Sequence, residues 1–85
     1  RDLHSFPTRR SSDLAMELAT LRTAQGMELD AQNFYRAAAA RASSPEEHRV
    51  FEDLAGWETE HWKLLDRNYQ ELSREYWEDM GFEPF

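Results

Sequence analysis

Residues 44–47, Ser-Pro-Glu-Glu, carry the strongest local signal in this chain of 85 residues. A serine followed three residues later by a glutamate is a capping box, in which the two side chains satisfy the free N–H groups at a helix start. Proline is favoured at the first helical position, because its missing N–H would have no partner there and its φ angle already suits the helix. A helix is therefore predicted to begin at Pro45.

The segments on either side of this turn predict an antiparallel pair of helices. Upstream, a helix is predicted over about residues 14–42, with Ser12 or Asp13 as its N-cap. Downstream, the second helix is expected to extend to residue 76 or 77, before Gly81 ends the regular structure. Because only a short turn separates the two helices, they must fold back on each other as a hairpin.

Composition restricts the fold class and the partners. The chain has no cysteine, no isoleucine and a single valine, Val50, whereas Ala, Leu, Glu and Arg are abundant and favour helix over strand. We therefore expect one all-α domain in a cytoplasmic protein, without a disulfide framework. The net charge of −7 argues against nucleic acid and anionic membrane lipid as partners. No apolar run approaches the roughly 18 residues that a membrane span needs.

Residues 1–14, RDLHSFPTRRSSDL, differ from the rest of the chain. They are rich in Arg and Ser, contain Pro7, show no helical period and do not begin with Met. Such a stretch could pass for a fragment of a transit peptide, but it resembles translated sequencing-adapter sequence more closely. We predict a non-native or disordered leader here, followed at residues 15–85 by the helical hairpin and a short tail. A natural N-terminal part is expected to be missing.

Two polar residues interrupt the apolar face of the second helix. The members of this face advance by three or four residues: Phe51, Leu54, Glu58, His61, Leu65, Tyr69, Leu72 and Tyr76. Burying a carboxylate without a partner is costly, and residues three apart on a helix can hold one ion together. Glu58 and His61 are therefore candidate metal ligands; alternatively, they are surface polar residues or hydrogen-bonded core residues. His48, among acidic neighbours, is predicted to be solvated surface.

The first helix carries one comparable interruption. Its predicted inward stripe contains Leu14, Leu18, Leu21, Ala24, Glu28, Ala31, Tyr35 and Ala38, with Met27 and Phe34 beside it. Glu28 and Glu58 each lie 15 residues from Ser43, at the centre of the turn, so they are expected at the same height of the hairpin. Glu28 could instead lie at the edge of the stripe and extend to water. Because Glu28 and Glu58 are expected at the same position along the hairpin axis, the sequence favours a metal site formed by these two residues and His61.

Two helices cannot enclose a core, so a second hairpin is expected to pack on the first. A second copy, related by a two-fold axis, would bring together four carboxylates and two imidazoles. Two divalent metals would balance the charge of the four carboxylates, which would otherwise repel one another. Oxygen-rich ligands with imidazole favour iron or manganese, and this is the ligand set of di-iron carboxylate bundles.

Several motifs within residues 27–76 carry a family resemblance. They are Glu28 followed by Phe34-Tyr35, Phe51-x-x-Leu54-Ala55, and Glu58-x-x-His61-x-x-x-Leu65. In these motifs the chain resembles the C-terminal helical pair of the rubrerythrin-like branch of the ferritin-like superfamily. The resemblance implies half of a ferritin-like four-helix bundle, with Glu28, Glu58 and His61 as iron ligands and Tyr35 as a hydrogen-bond donor to a ligand carboxylate. It implies as partner either a second copy of the chain or a missing N-terminal helical pair.

The function that this resemblance implies is iron oxidation or peroxide reduction at a di-iron site completed by a second hairpin. The chain contains one helical pair and no cysteine-based rubredoxin domain, so the rubredoxin-linked peroxidase activity has no support in its sequence. Two alternatives stay open. The first is a metal-free helical hairpin that oligomerises through its aromatic face, and the second is a ferroxidase similar to the encapsulated ferritins, which pair single hairpins.

Overall fold

The computed structural model describes residues 11–81, which form two α-helices and a short connection. Helix α1 spans Ser11–Ala40 and helix α2 spans Pro45–Met80. The helices lie antiparallel and pack against each other, and no residue between 11 and 81 belongs to a strand. The predicted all-α hairpin is therefore confirmed. Neither helix of this described part is long and apolar enough to cross a membrane.

The start of α1 differs from the prediction. The helix already includes Ser11, so Ser12 and Asp13 lie inside it and the predicted N-cap is wrong. An acidic residue in the first turn of a helix is favoured by the helix dipole, whether or not it is the cap. Residues 11–14, which were assigned to the leader, are thus helical. The leader residues 1–10 lie outside the described residues, as do residues 82–85, and the nature of the leader stays a prediction.

The two remaining helix ends shift by two to four residues. Helix α1 stops at Ala40 rather than residue 42, and α2 continues to Met80 rather than residue 76 or 77. Gly81 follows with φ 78°, a left-handed conformation that glycine adopts without steric cost. Its N–H donates to the carbonyl of Glu78 at 3.1 Å. This is the usual C-terminal glycine cap, placed one residue after the helix as the sequence indicated.

The turn is closed by the predicted cap. Ser44 has extended backbone angles, and its hydroxyl accepts a hydrogen bond from the N–H of Glu47 at 3.1 Å. The Glu47 carboxylate turns back to Ser43, where it accepts from the backbone N–H and from the hydroxyl, both at 3.4 Å. Pro45 occupies the first helical position. The reciprocal contact thus reaches one residue further back than in an ideal capping box.

His48 contributes to the turn as well, which the sequence did not predict. Its Nδ1 lies 2.8 Å from the carbonyl oxygen of Ala39, which can only accept, so this nitrogen donates the hydrogen. Ala39 is in the last turn of α1, where carbonyl groups lack partners within the helix. Nε2 of the same ring lies 3.3 Å from the Glu52 carboxylate. The side chain is half exposed, so the expected solvated surface residue also joins α2 to the end of α1.

The most buried part of the seam between the helices combines one leucine with alanines and glutamines. Its most buried residues are Leu14, Gln25, Gln32, Ala39 and Ala55. In α1, Gln25, Gln32 and Ala39 recur every seven residues, whereas their predicted neighbours at 24, 31 and 38 are only partly buried. The packed seam thus keeps Leu14 of the predicted stripe, but at three positions the most buried residue is the one after the predicted alanine. The prediction selected alanines, while the packed hairpin accepts two glutamines.

One broad face of the hairpin exposes large apolar side chains. In α1 these are Met27 and Phe34, and in α2 they are Val50, Trp57 and Leu64, each at least half exposed. The spacing of seven residues within each set places them on one stripe of each helix. The molecule measures 63 × 31 × 15 Å, so its shortest dimension is close to the thickness of a single helix. We call this surface, defined by these five residues, the apolar face.

The cap of α2 provides a test of how the turn is stabilised. Replacing Ser44 with Ala removes the acceptor for the Glu47 N–H and is expected to cost about 1 kcal/mol. For a domain of this size, that loss lowers the melting temperature by roughly 4–8 °C. Thermal unfolding followed by circular dichroism measures it. Ser43→Ala, which removes only a weaker hydroxyl contact with Glu47, serves as the control; an equal loss in both variants would contradict the assignment of the cap.

Candidate metal centre

The structure brings together the three residues that the sequence selected as metal ligands. Glu28 projects from α1, and Glu58 and His61 project from α2, one turn apart on the same face. One ligand atom from each side chain can be chosen so that all three lie within 4.8 Å of one another. Within residues 11–81, this is the one such group of three acidic or histidine residues. Glu28 and Glu58, which are equally far from the turn in the sequence, thus lie next to each other across the hairpin.

The imidazole of His61 lies next to both carboxylates. Its Nδ1 is 3.0 Å from Oε2 of Glu28 and 3.8 Å from Oε1 of Glu58. The side chains of Glu28 and Glu58 are only 22% and 19% exposed, whereas that of His61 is 59% exposed. The two carboxylates therefore lie at the edge of the seam, and the imidazole lies on the side that faces solvent.

The Glu28 carboxyl group perturbs the ionisation of Glu58. The pKa of Glu58 is raised above its ordinary value of 4.5, first by a hydrogen bond with the Glu28 carboxyl, then by partial loss of hydration and by repulsion from the Glu28 charge. His61 acts in the opposite direction, through its positive charge and its own hydrogen bond. Two neighbouring carboxyl groups are stable together only if they share a proton or if a cation lies beside them. The site thus has the electrostatic character of a cation site.

The donor set fits a divalent transition metal. Two carboxylate groups and one imidazole offer oxygen and nitrogen ligands, which suit iron, manganese or zinc more than metals that prefer thiolate. Three ligand residues from one hairpin leave at least one position open even on a four-coordinate ion. This open side is the exposed side of His61, so further ligands would have to come from a partner or from solvent.

Tyr35, the fourth residue selected from the sequence, lies apart from this group. It follows Glu28 by seven residues, or about 10 Å along α1. Its ring packs edge-on against Phe34, with centroids 5.5 Å apart, and is stacked with Phe51 of α2 at 6.4 Å. These contacts make Tyr35 part of the packing between the centre and the turn. Its role as a hydrogen-bond donor to a ligand carboxylate stays a prediction.

On the other side of the centre, the helices are joined by polar side chains that the sequence did not single out. Arg22 donates to Oε1 of Gln25 at 2.9 Å, and Nε2 of Gln25 donates to Asp66 across the hairpin at 3.3 Å. Arg22 also lies 3.8 Å from Asp66 and 3.6 Å above the Tyr69 ring. We call these four residues the Arg22–Asp66 network. The spacing of seven residues between Gln25 and Gln32 is the feature of the sequence that could have indicated polar residues in the seam.

Comparison with known protein families gave a match. The Rubrerythrin family matches residues 19–80, a segment that covers most of both helices and includes Glu28, Glu58 and His61. No curated protein and no solved structure matches the chain. Because the family covers well over half of the sequence, and because the two helices place its acidic and histidine residues together, the chain belongs to the rubrerythrin family.

Proposed function

We propose that this chain binds iron through Glu28, Glu58 and His61, as one half of a di-iron centre of the ferritin-like type. The observation that carries this proposal is the convergence of the three ligand atoms from two helices within 4.8 Å. A carboxylate pair held so close has a strong electrostatic reason to bind a cation. Membership of the rubrerythrin family supports iron as that cation. Manganese, which accepts the same ligands, is the alternative metal.

A second hairpin would complete the centre by covering the apolar face. Phe34 and Trp57 are each 64% exposed, and exposed apolar patches of this kind typically mark interaction surfaces. Glu28 and Glu58 contribute two carboxylates per hairpin, so two hairpins contribute four, whose combined charge two divalent metals would balance. The second hairpin is either a second copy of this chain or another helical pair of the same type. In either case, the open side of His61 faces the partner.

The chain's own residues would have three tasks at such a centre. Glu28 and Glu58 would hold the metal and neutralise its charge, and His61, which contacts Glu28 in the metal-free chain, would supply an imidazole ligand. The aromatic residues of the apolar face, once covered, exclude bulk water. Bound iron would supply redox chemistry, with Fe(II) oxidised by oxygen or with peroxide reduced. Both reactions fit the proposed centre, and the first is the ferroxidase reaction expected from the resemblance to encapsulated ferritins.

The ligand assignment is tested by two matched double variants. Glu58→Ala/His61→Ala is expected to abolish stoichiometric Fe(II) binding, because only Glu28 remains of the ligand set. Glu60→Ala/Lys63→Ala is the control: it removes an exposed ion pair of α2, at 3.2 Å, that lies outside the ligand set. Anaerobic Fe(II) titration by calorimetry, with metal analysis of the purified chain, measures both. Equal binding by the two variants would refute the assignment.

The metal-free alternative is a hairpin that associates through its apolar face without an ion. It is favoured by the same exposed residues, Phe34 and Trp57. The two hypotheses differ in the thermal stability of Glu58→Ala/His61→Ala. Under the metal hypothesis, added Fe(II) raises the melting temperature of the wild type and not that of the variant. Under the alternative, Fe(II) changes neither melting temperature.

Replacement of Glu58 with Gln should have opposite effects on stability and on metal binding. At pH 7 the variant is expected to melt at a higher temperature than the wild type without metal, because one of two neighbouring negative charges is removed and the amide can donate to Glu28. Fe(II) binding is expected to weaken, since an amide oxygen is neutral. Melting in the presence of a chelator and Fe(II) titration measure the two effects. A lower melting temperature for the metal-free variant would contradict the repulsion.

The same repulsion predicts a pH dependence for the metal-free chain. Because the pKa of Glu58 is raised in the folded state, this state binds more protons than the unfolded state between pH 4.5 and the raised value. The free energy of unfolding therefore increases as the pH falls through this window. The increase is expected in the wild type and is expected to be smaller in Glu58→Gln. Melting temperatures of both proteins are measured between pH 7 and 4.5. If they change with pH by the same amount in the wild type and in Glu58→Gln, the predicted effect of Glu58 is refuted.

The partner hairpin is tested by charging the apolar face. Phe34→Glu/Trp57→Glu is expected to reduce the mass in solution to that of a single chain, because two acidic side chains would be desolvated at the interface. Metal binding is expected to weaken with it. Asn33→Glu/Gln70→Glu adds the same charges at exposed positions outside this face and serves as the control. Sedimentation equilibrium measures the mass; a wild-type chain that binds metal as a strict monomer would exclude a second copy as the partner.

A further inference from the structure

We propose that the Arg22–Asp66 network is a positioning element that fixes the separation and rotation of the two helices at Glu28, Glu58 and His61. The inference rests on the proposed metal function, because it assigns these residues a role at that centre. None of the network residues belongs to the ligand set. Their contribution is made through the helices that carry the ligands.

The network is the polar connection between the helices closest to the centre. Gln25 precedes Glu28 by three residues, so both side chains leave α1 on the same face. Asp66 follows His61 by five residues on α2. The hydrogen bond between Gln25 and Asp66 therefore lies about one helical turn from the contact between Glu28 and His61. A displacement of the Gln25–Asp66 pair is therefore expected to displace Glu28 relative to His61.

The opposite end of the hairpin cannot position the centre alone. Its last connection in α1 is the contact between Ala39 and His48, beside the turn. Glu28 is 11 residues from Ala39, or about 16 Å along the helix. Over this distance the helices are held by packing, such as the stacked rings of Tyr35 and Phe51, which tolerates small rotations of each helix about its own axis. The network holds them together on the far side, so that the centre lies between two fixed connections.

The chemistry of the network suits this role. Gln25 is only 3% exposed, and its amide bonds to Arg22 on one side and to Asp66 on the other. Hydrogen bonds require a narrow range of distance and direction, and a buried amide that loses them pays its full desolvation cost. Contacts among alanines tolerate small displacements without such a penalty. A polar pair therefore restricts the helices more strictly than the small apolar residues around it.

The arginine extends the connection along α2. Its guanidinium lies over the ring of Tyr69, a cation–π contact at 3.6 Å, while one nitrogen lies 3.8 Å from Asp66. Asp66 and Tyr69 are one turn apart on the same face of α2. Arg22 thus contacts two successive turns of the opposite helix, which opposes both sliding and rotation.

The test replaces the polar pair with apolar residues of similar size. Gln25→Leu/Asp66→Leu is expected to retain the helical signal and the melting temperature, because a buried polar pair can often be exchanged for packed apolar residues without loss. Arg22 stays half exposed and solvated. Anaerobic Fe(II) titration is expected to show affinity reduced about 10–100-fold, as for residues that orient metal ligands. The single variant Asp66→Asn keeps an oxygen acceptor for Gln25 and is expected to retain most of the wild-type affinity for Fe(II).

A second readout does not depend on metal. The chain has no cysteine, so Asp30→Cys and Glu60→Cys introduce one spin label on each helix at exposed positions level with the centre. With labelled chain diluted in unlabelled chain, the distance distribution between the labels is expected to broaden in Gln25→Leu/Asp66→Leu. Asn33→Ala/Gln70→Ala, which removes two exposed amides from the same helices, is the control and is expected to change neither readout.

The outcomes separate this inference from the proposed metal function. If the wild type binds Fe(II), unchanged affinity or an unchanged distance distribution in Gln25→Leu/Asp66→Leu overturns the positioning role. If the wild type binds no Fe(II), the metal function fails, and the distance distribution alone decides: broadening supports positioning, and equal width overturns it. Should the double variant lose its helical signal, Asp66→Ala is judged by the same criteria.

Discussion

The short connection between α1 and α2 is the constraint on which the rest of the structure depends. Residues 41–44 reverse the chain, and the Ser44 cap and the contact between His48 and Ala39 hold both helix ends at this point. After such a reversal, residues equally far from the turn lie opposite each other. Glu28 and Glu58 meet for this reason.

The consequence is a pair of neighbouring carboxyl groups that repel each other in the metal-free hairpin. Glu28 and Glu58 are held close enough to raise the pKa of Glu58, and His61 offsets only part of their repulsion. A sequence selected for the stability of the hairpin alone would place apolar side chains at the edge of this seam. Local conflict of this kind is expected at functional sites, where function is maintained at a cost in stability. Phe34 and Trp57, whose large apolar side chains are exposed in this hairpin, are a second feature that stability alone does not favour.

Much of this organisation was predictable from the chain alone. The capping box at Ser44 gave the position of the turn, the periodicity gave two helices, and the equal spacing from the turn gave the three converging residues. The errors have identifiable causes. Asp13 suits both a cap and a first turn, and the residues near 76 and 80 suit helix equally well until Gly81 ends it. At positions 24 and 31 alanine was preferred over glutamine as an inward residue, but the most buried residue is instead the following glutamine.

The sequence by itself determined the all-α hairpin, its turn and the height at which Glu28, Glu58 and His61 stand, because helical geometry converts residue spacing directly into position along an axis. Only the tertiary structure decided how each helix is rotated toward the other. Rotation depends on which side chains interlock across the seam, and here Gln25 and Asp66 pair across it while Ala24 and Ala31 turn partly outward. It also showed that the carboxylates lie at the seam while His61 faces outward, toward the side a partner would occupy.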